Sequence, residues 1–270
     1  MTTQQASSAL PVRAGIIGLG AIGQRVVELA GTHAPGDIEF VGALVQDPQK
    51  PRPDPGIPLV ASVHDLLALN PEVIVEAAGH EALRAHGPAI LRSGCDLLFL
   101  GVGALADPEL ERIIIEAAIE GGGTAQVASG AIGALDAISA AAIGGIDKIT
   151  HNVRKPARTL LPHDQADALT GPLEMFRGPA REGALLFPES INVAAAVSLA
   201  GVGLDDTEVC VIADPAVSRN QHEVEVEGIF GWMKFEIRGI PTEENPKTGR
   251  IVAMSVVRQL LRRRAPLRLG

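Results

Sequence analysis

A glycine-rich hexapeptide near the start of the chain has the spacing of a phosphate-binding turn. The letters GLGAIG supply Gly18, Gly20 and Gly23, with Ala21 and Ile22 between the last two, after an apolar segment and before an amphipathic one. At this spacing the first glycine permits a tight turn, the second admits a pyrophosphate, and the third lets helix and strand pack closely. The pattern predicts a site for a nicotinamide or flavin dinucleotide, and a purely structural turn is the alternative.

Asp47 is the candidate for a contact with the adenine ribose of such a cofactor. An acidic residue about 20 positions after the glycine-rich turn holds the ribose hydroxyls and favours NAD over NADP. Asp47 follows an apolar segment, but Gln46 competes for the same position at its end, and Lys50 and Arg52 could accept a ribose phosphate. Cofactor preference therefore stays open, and a turn residue before Pro48 is an equal explanation of Asp47.

The segment VIVEAAGH, residues 73–80, ends an apolar strand with small residues. Doubly wound sheets bind ligands at the carboxyl ends of their strands, and small residues there leave room for a cofactor. We therefore expect Ala78 and Gly79 to contact the cofactor. A turn without a ligand is the alternative.

Of the seven histidines, His222 stands out through its neighbours. The alternation in HEVEVEG places His222, Val224 and Val226 on one strand face and three glutamates on the other. The ring then points to the covered face, where a titratable group can do acid/base work. A structural core histidine is the alternative.

The segment HNVRKPAR, residues 151–158, concentrates Arg154, Lys155 and Arg158 in an otherwise acidic chain. Such a cluster can bind carboxylates, and arginine offers a bidentate fork for them. A solvated strand end explains the cluster equally well.

Composition excludes several classes of protein. No apolar run approaches the ~20 residues that cross a bilayer, so we expect no membrane segment. With 23 Lys and Arg against 32 Asp and Glu, the net charge is −9, and six Phe, one Trp and no Tyr leave few platforms for stacking bases, so nucleic acid binding is disfavoured. The lack of tyrosine also removes every mechanism that needs a phenol as proton donor.

Two separate cysteines, Cys95 and Cys210, argue against a cysteine zinc site and against structural disulfides. The first 13 residues lack the charged head and apolar stretch of a signal peptide. We therefore expect a cytoplasmic protein, and we expect no bound metal.

The order of predicted elements indicates an α/β protein with two domains. Short apolar strands alternate with amphipathic helices from residue 12 to about 127, which is typical of a parallel sheet with crossover helices. We expect a Rossmann dinucleotide-binding domain at 1–130, joined by a C-terminal helix at 248–270 that packs back on it. Residues 131–247 are expected to form a smaller α/β domain with a mixed sheet, in which 220–240 contribute two antiparallel strands.

Six motifs taken together resemble the L-aspartate dehydrogenase family over nearly the whole chain. The resemblance implies oxidation of L-aspartate with NAD or NADP to iminoaspartate, which hydrolyses to oxaloacetate and ammonia or enters NAD biosynthesis. It also implies a homodimer in which the second domain forms the contact. Besides GLGAIG, the motifs are SGAIGALDA at 129–137, HNVRKPA at 151–157, FPESINVAAAVSLAG at 187–201, ADP at 213–215 and NQHEVEVEG at 220–228.

The same resemblance assigns acid/base catalysis to His222 and cofactor contacts to Asn192 and, through its backbone, Ala131. An ordinary residue at a helix start is the alternative for Asn192. Charge complementarity, rather than the family, makes Arg154, Lys155 and Arg219 the candidates for binding the two substrate carboxylates.

Other functions remain as alternatives. The nearest is another Rossmann oxidoreductase of aspartate-derived metabolites, similar to homoserine dehydrogenase or dihydrodipicolinate reductase. A protein that senses NAD(H) without turnover is an alternative of a different class. Phosphorylating aldehyde dehydrogenases are disfavoured, because they place a nucleophilic cysteine where this chain has Ala131, and neither cysteine lies nearby in sequence.

Overall fold

The computed structural model describes residues 10–187, 191–243 and 248–268. Contacts divide the described chain into two units. The first comprises residues 10–99, 112–128 and the segment from 253, and the second comprises residues 100–111 and the described part of 129–252. Residues 188–190 of the FPESINV motif lie outside the described residues.

The first unit contains a parallel sheet of six strands. The strands are β1 (Val12–Ile17), β2 (Ile38–Leu44), β3 (Leu59–Val60), β4 (Val73–Glu76), β5 (Asp96–Phe99) and β6 (Ala125–Val127). Their order is β3-β2-β1-β4-β5-β6, so the chain winds outward from β1 in both directions. This doubly wound order confirms the predicted Rossmann domain.

Four helices connect these strands. The start of the second is fixed by Ser62, whose hydroxyl oxygen accepts a hydrogen bond from the Asp65 backbone N–H at 3.1 Å. The helices are α1 (Ala21–His33), α2 (Val63–Ala68), α3 (His80–Arg92) and α4 (Pro108–Gly121).

The second unit is built on a mixed sheet of five strands, as predicted. The strands are β7 (Ile146–Pro156), β8 (Leu173–Pro179), β9 (Glu208–Asp214), β10 (Gln221–Gly228) and β11 (Gly231–Arg238). Their order is β11-β10-β7-β9-β8, with β7 and β9 parallel and the other neighbours antiparallel. The antiparallel pair predicted over 220–240 is confirmed as β10 and β11.

One face of this second sheet is covered by helices. Ile149, Val224 and Val226 on the sheet form an apolar core with Ile138 and Val197 on two of the helices. This face is called the covered face below. The helices of the unit are α5 (Leu135–Gly144), α6 (His163–Asp167), α7 (Ala180–Leu186) and α8 (Asn192–Ala200), and α5 and α8 supply the core residues.

The last helix, α9 (Ile251–Arg262), returns to the first unit, as predicted. Just after it, the Arg263 guanidinium donates to Asp96, and Arg264 forms two hydrogen bonds with the Glu72 carboxylate at 2.7 and 2.8 Å. None of the described helices combines the length and apolar character that crossing a membrane requires.

The observed division differs from the predicted boundaries by a few residues at 129–130 and at 248–252, and over one longer segment. Residues 100–111 were expected in the first domain, but they group with the second unit. The physical reason is a 3-10 turn, Val102–Ala106, whose residues are all buried and which packs against α7 and α8.

Two isoleucines of α5 test the importance of the covered face for stability. Ile138 is fully buried in the apolar core, whereas Ile143 on the same helix is 90% exposed. We expect Ile138→Ala to lower the free energy of unfolding by about 2–5 kcal/mol, because it leaves a cavity. Ile143→Ala should change it by less than about 0.5 kcal/mol. The single tryptophan, Trp232 on β11, reports urea unfolding of this unit, and equal midpoints for the two variants would contradict the packing described.

Candidate functional site

The three glycines between β1 and α1 have different structural roles. Gly18 has φ +87°, and a Cβ there would lie 2.7 Å from the Cβ of Ala78. A Cβ on Gly23 would collide with the carbonyl oxygen of Gly18. A Cβ on Gly20 would meet nothing within 4 Å. The first and third glycines are therefore needed for the fold itself, and the second leaves open space beside the turn.

This open space lies at the N-terminus of α1, with Gly20 as the N-cap residue. N–H groups in the first turn of a helix, here those of Ala21 and Ile22, have no acceptor within the helix, and the helix dipole favours an anion there. The turn therefore fits the pyrophosphate of a dinucleotide, as its spacing predicts.

Glu76, which the sequence analysis overlooked, holds the loop after β4. Its side chain is fully buried, and its Oε1 accepts hydrogen bonds from the backbone N–H groups of Ala78 at 2.6 Å and Gly79 at 2.5 Å. These two N–H groups thus point back to the carboxylate, and Gly79 takes φ +101° at the start of α3. These two N–H groups are therefore used within the loop, and the contacts of Ala78 and Gly79 with a cofactor stay predictions. The sequence signal that could have identified Glu76 is an acidic residue at the end of an apolar strand.

Asp47 lies in an exposed turn after β2, and its carboxylate accepts a hydrogen bond from the Gln49 backbone N–H at 2.8 Å. Its own carbonyl oxygen accepts from the Arg52 guanidinium. β1 and β2 are parallel neighbours, and the Gly18 N–H donates to the Leu44 carbonyl at 2.9 Å. The turn and the glycines therefore lie at the same edge of the sheet. Part of the Asp47 carboxylate is used in the turn, and the contact with a ribose stays a prediction.

In the second unit, His222 lies on the covered face, as its alternation predicts. It is 5% exposed, and it is opposite Val153 on β7 and Ile237 on β11. Its Nδ1 lies 3.2 Å from Nε2 of His151, which is fully buried. Because burial disfavours the charged ring and Lys155 adds a positive charge nearby, the pKa of His222 is lowered to about 3. Its imidazole is therefore neutral and able to accept a proton.

The three candidate carboxylate-binding cations do not lie together. Lys155 is buried on the covered face, close enough to lower the pKa of His222. Arg154 is the next residue on the same strand, and it points to the opposite face, where it forms an ion pair with Asp214 at 2.6 Å. Arg219 is exposed in the loop between β9 and β10. Strand alternation thus separates Arg154 from His222, and its predicted contact with the substrate stays untested.

Asn192 begins α8, and its side-chain oxygen accepts a hydrogen bond from the Gly103 backbone N–H at 2.8 Å. This bond orients the amide. Ala131 lies in a tight turn before α5, in which the Ile132 N–H donates to the Ser129 carbonyl at 3.2 Å. Their predicted contacts with the cofactor stay predictions. Across the described part of the chain, no three His, Cys, Asp or Glu side chains cluster as a metal site would require.

Two family descriptions match separate parts of the chain. "Aspartate dehydrogenase, C-terminal" matches residues 136–263, and "Homoserine dehydrogenase, NAD binding domain" matches residues 18–128. The second match contains all three glycines of the turn, and the first contains the two histidines of the covered face.

Named relatives cover most of the chain. The L-aspartate dehydrogenase of Ralstonia pickettii is 40% identical over 255 residues, which make up 91% of this chain and 95% of that protein. The L-aspartate dehydrogenase of Pseudomonas aeruginosa is 43% identical over 195 residues, or 70% of this chain and 73% of that protein.

Among solved structures, the aspartate dehydrogenase from Thermotoga maritima superposes with a TM-score of 0.79 at 26% identity. The match covers 96% of this chain and 99% of that one. A hyperthermophilic archaeal homoserine dehydrogenase in complex with NADPH has a TM-score of 0.61 at 11% identity, covering 93% of this chain and 97% of its own. At that identity, the likeness shows a common fold alone.

The open space at Gly20 gives a test of the cofactor site. Gly20 has φ −75°, so alanine fits its backbone. We expect Gly20→Ala to raise the Kd for NADH at least about tenfold, a loss of about 1.4 kcal/mol, because its methyl group occupies space needed by the pyrophosphate. Gly31→Ala is the matched control, since Gly31 lies on α1 with equally open surroundings. Fluorescence titration measures both, and an unchanged Kd for Gly20→Ala would exclude this turn from the site.

Proposed function

The chain belongs to the L-aspartate dehydrogenase family, and from that premise we propose that it oxidises L-aspartate to iminoaspartate. When NAD or NADP is bound, its nicotinamide accepts the hydride from the substrate Cα. Water then adds to the imine, giving oxaloacetate and ammonia, and the reverse reaction uses the same groups. The observation that carries the proposal is a neutral, buried histidine beside a buried lysine on one face of a sheet.

Residues of the first unit would hold the cofactor. Gly18, Gly20 and Gly23 form the turn for the pyrophosphate, with the first-turn N–H groups of Ala21 and Ile22 directed to it. On the arguments given above, three further contacts of this unit are proposed, for Asp47, Ala78 and Gly79, and two of the second unit, for Ala131 and Asn192.

His222 is the proposed proton carrier. A neutral ring with an unprotonated nitrogen can accept a proton from the substrate amine or from the attacking water. The pKa of about 3 makes it a weak base in the absence of substrate. A substrate carboxylate beside Lys155 would offset the lysine charge and raise the pKa of His222 toward the working pH.

Lys155 is accordingly the proposed ligand of one substrate carboxylate, with Arg219 kept as a candidate for the other. A dicarboxylate is the kind of substrate that a buried cation beside a neutral base favours, since one of its carboxylates adds a negative charge beside Lys155. Homoserine carries a single carboxylate, and the likeness to homoserine dehydrogenases consists of the NAD-binding-domain match at residues 18–128 and a common fold.

Three finer features belong to the same proposal. We infer a homodimer, as the family resemblance implies. A cytoplasmic location is supported by two buried cysteines, neither of which forms a disulfide. Delivery of iminoaspartate to NAD biosynthesis is the proposed pathway, and the choice between NAD and NADP is left to measurement.

Initial rates with four amino acids and both cofactors test the function. We expect turnover with L-aspartate and none with D-aspartate or L-alanine, and a rate with L-glutamate that is roughly 10–200-fold lower, because one extra methylene must be accommodated. His222→Ala should bind NADH normally and lose roughly 10²–10⁴-fold in kcat. NADH binding without turnover of any substrate by the unaltered protein would point to a sensor. Turnover of homoserine instead of L-aspartate would point to the homoserine dehydrogenase class.

Two neighbouring cations on β7 form a matched pair for testing the substrate site. We expect Lys155→Met to raise the KM for L-aspartate at least about tenfold while the KM for the cofactor changes little, because one charged contact of this kind contributes about 1.5–3 kcal/mol. It should also move the acidic limb of the pH profile upward, since Lys155 lowers the pKa of His222. Arg154→Met, on the opposite face, should leave both KM values unchanged. The reverse pattern would place the substrate on the other side of the sheet.

A further inference from the structure

The proposed chemistry uses His222 and assigns no role to its neighbour, His151. The His151 ring is fully buried on β7, and its Nε2 lies 3.2 Å from Nδ1 of His222. Its other nitrogen, Nδ1, has no hydrogen-bonding partner among the described residues. The described side-chain hydrogen bond of this ring is therefore the one to His222.

A hydrogen bond between two neutral imidazoles contains a single proton, and its position decides what His222 can do. If His151 donates, His222 carries its own proton on Nε2 and cannot accept another there. If His222 donates from Nδ1, its Nε2 keeps a lone pair and can act as a base. The two arrangements have the same heavy-atom geometry and opposite chemical consequences.

We propose that His151 is a positioning residue that accepts the Nδ1–H of His222 and thereby keeps Nε2 of His222 as the proton acceptor. The inference rests on the proposed function in one respect, namely that His222 acts as a base toward L-aspartate. It adds a residue that touches neither substrate nor cofactor.

The surroundings keep both rings neutral, as this arrangement requires. Burial, and to a lesser degree the neighbouring His222, lower the pKa of His151 well below its usual value. The cross-strand neighbours of His222 are apolar, Val153 on β7 and Ile237 on β11, and the core residues from α5 and α8 are apolar as well. Lys155 is the charged group that acts on the pKa of His222, and it disfavours a second positive charge on the pair.

The energetic cost of burying His151 supports a functional role for this residue. Nδ1 of His151 is buried without a partner, which disfavours histidine at a position where an aliphatic side chain would pack without that penalty. The bond to His222 is the described feature of His151 that an aliphatic side chain could not reproduce.

Two substitutions at position 151 and one beside it separate positioning from packing. His151→Leu removes the acceptor, whereas His151→Gln keeps a hydrogen-bonding atom near the place of Nε2. Val224 lies opposite His151 in the ladder, so Val224→Ala disturbs the packing alone. We expect His151→Leu to lower kcat roughly 10- to 100-fold with little change in either KM, as for other partners that orient a histidine. His151→Gln should recover most of the loss, and Val224→Ala should lower stability without lowering kcat.

The pH profile supplies a readout that packing would not move. In His151→Leu the acidic limb of kcat should shift to lower pH, because the charged form of His222 loses the acceptor of its Nδ1–H. Val224→Ala should keep the limb of the unaltered protein. If His151→Leu keeps both kcat and the limb, or if Val224→Ala reproduces its effects, the positioning role is overturned.

Nitrogen-15 NMR of the unaltered protein tests the tautomer directly and needs no turnover. The ring signals of His222 are identified by their absence in His222→Gln. We expect a protonated Nδ1 and an unprotonated Nε2 for His222. The opposite tautomer, with the proton on Nε2 and an unprotonated Nδ1, would overturn the proposal. If L-aspartate is not oxidised, the proposed function fails by itself, while this spectrum still decides the direction of the hydrogen bond.

Discussion

Burial of ionisable side chains on one face of the second sheet is the constraint on which the chemistry of the second unit depends. His151, Lys155 and His222 share one face of the sheet with the isoleucine and valine core. Withdrawal from water penalises the charged form of each ring, so the pKa of both histidines falls. The face therefore presents neutral imidazoles beside a cation. Such a surface attracts an anion and resists protonation until an anion arrives.

Strand alternation made half of this face predictable from the sequence. The pattern HEVEVEG correctly predicted that His222 turns inward with its two valines. The same rule applied to HNVRK would have placed His151 and Lys155 inward and Arg154 outward, as observed. Grouping the cations by charge alone overlooked this, because it ignored that adjacent residues of a strand face opposite ways. The glycine-rich turn was predictable for a related reason, since its first and third glycines are required by local backbone geometry.

Contacts between segments that are far apart in the chain could not be predicted from the sequence. His151 and His222 are 71 residues apart, and only the ladder between β7 and β10 brings their rings together. The hydrogen bond between Asn192 and Gly103 likewise joins residues 89 positions apart. It depends on a 3-10 turn that no periodic pattern in the sequence predicts. The same turn explains why residues 100–111 group with the second unit, where the sequence predicted the first domain. Glu76 differs, because its partners follow within three residues, and an acid ending an apolar strand was a readable signal.

The proposed function links substrate charge to the strength of the base. In the free protein, Lys155 and burial both hold the pKa of His222 low, so the ring takes few protons from water at neutral pH. A carboxylate bound beside Lys155 cancels part of the positive potential, and His222 then becomes a stronger base while substrate is present. A neutral or singly charged substrate that failed to reach Lys155 would leave the base weak even if it occupied the same space. Discrimination in favour of a dicarboxylate would then arise in the proton transfer as well as in binding, because both depend on the same buried lysine.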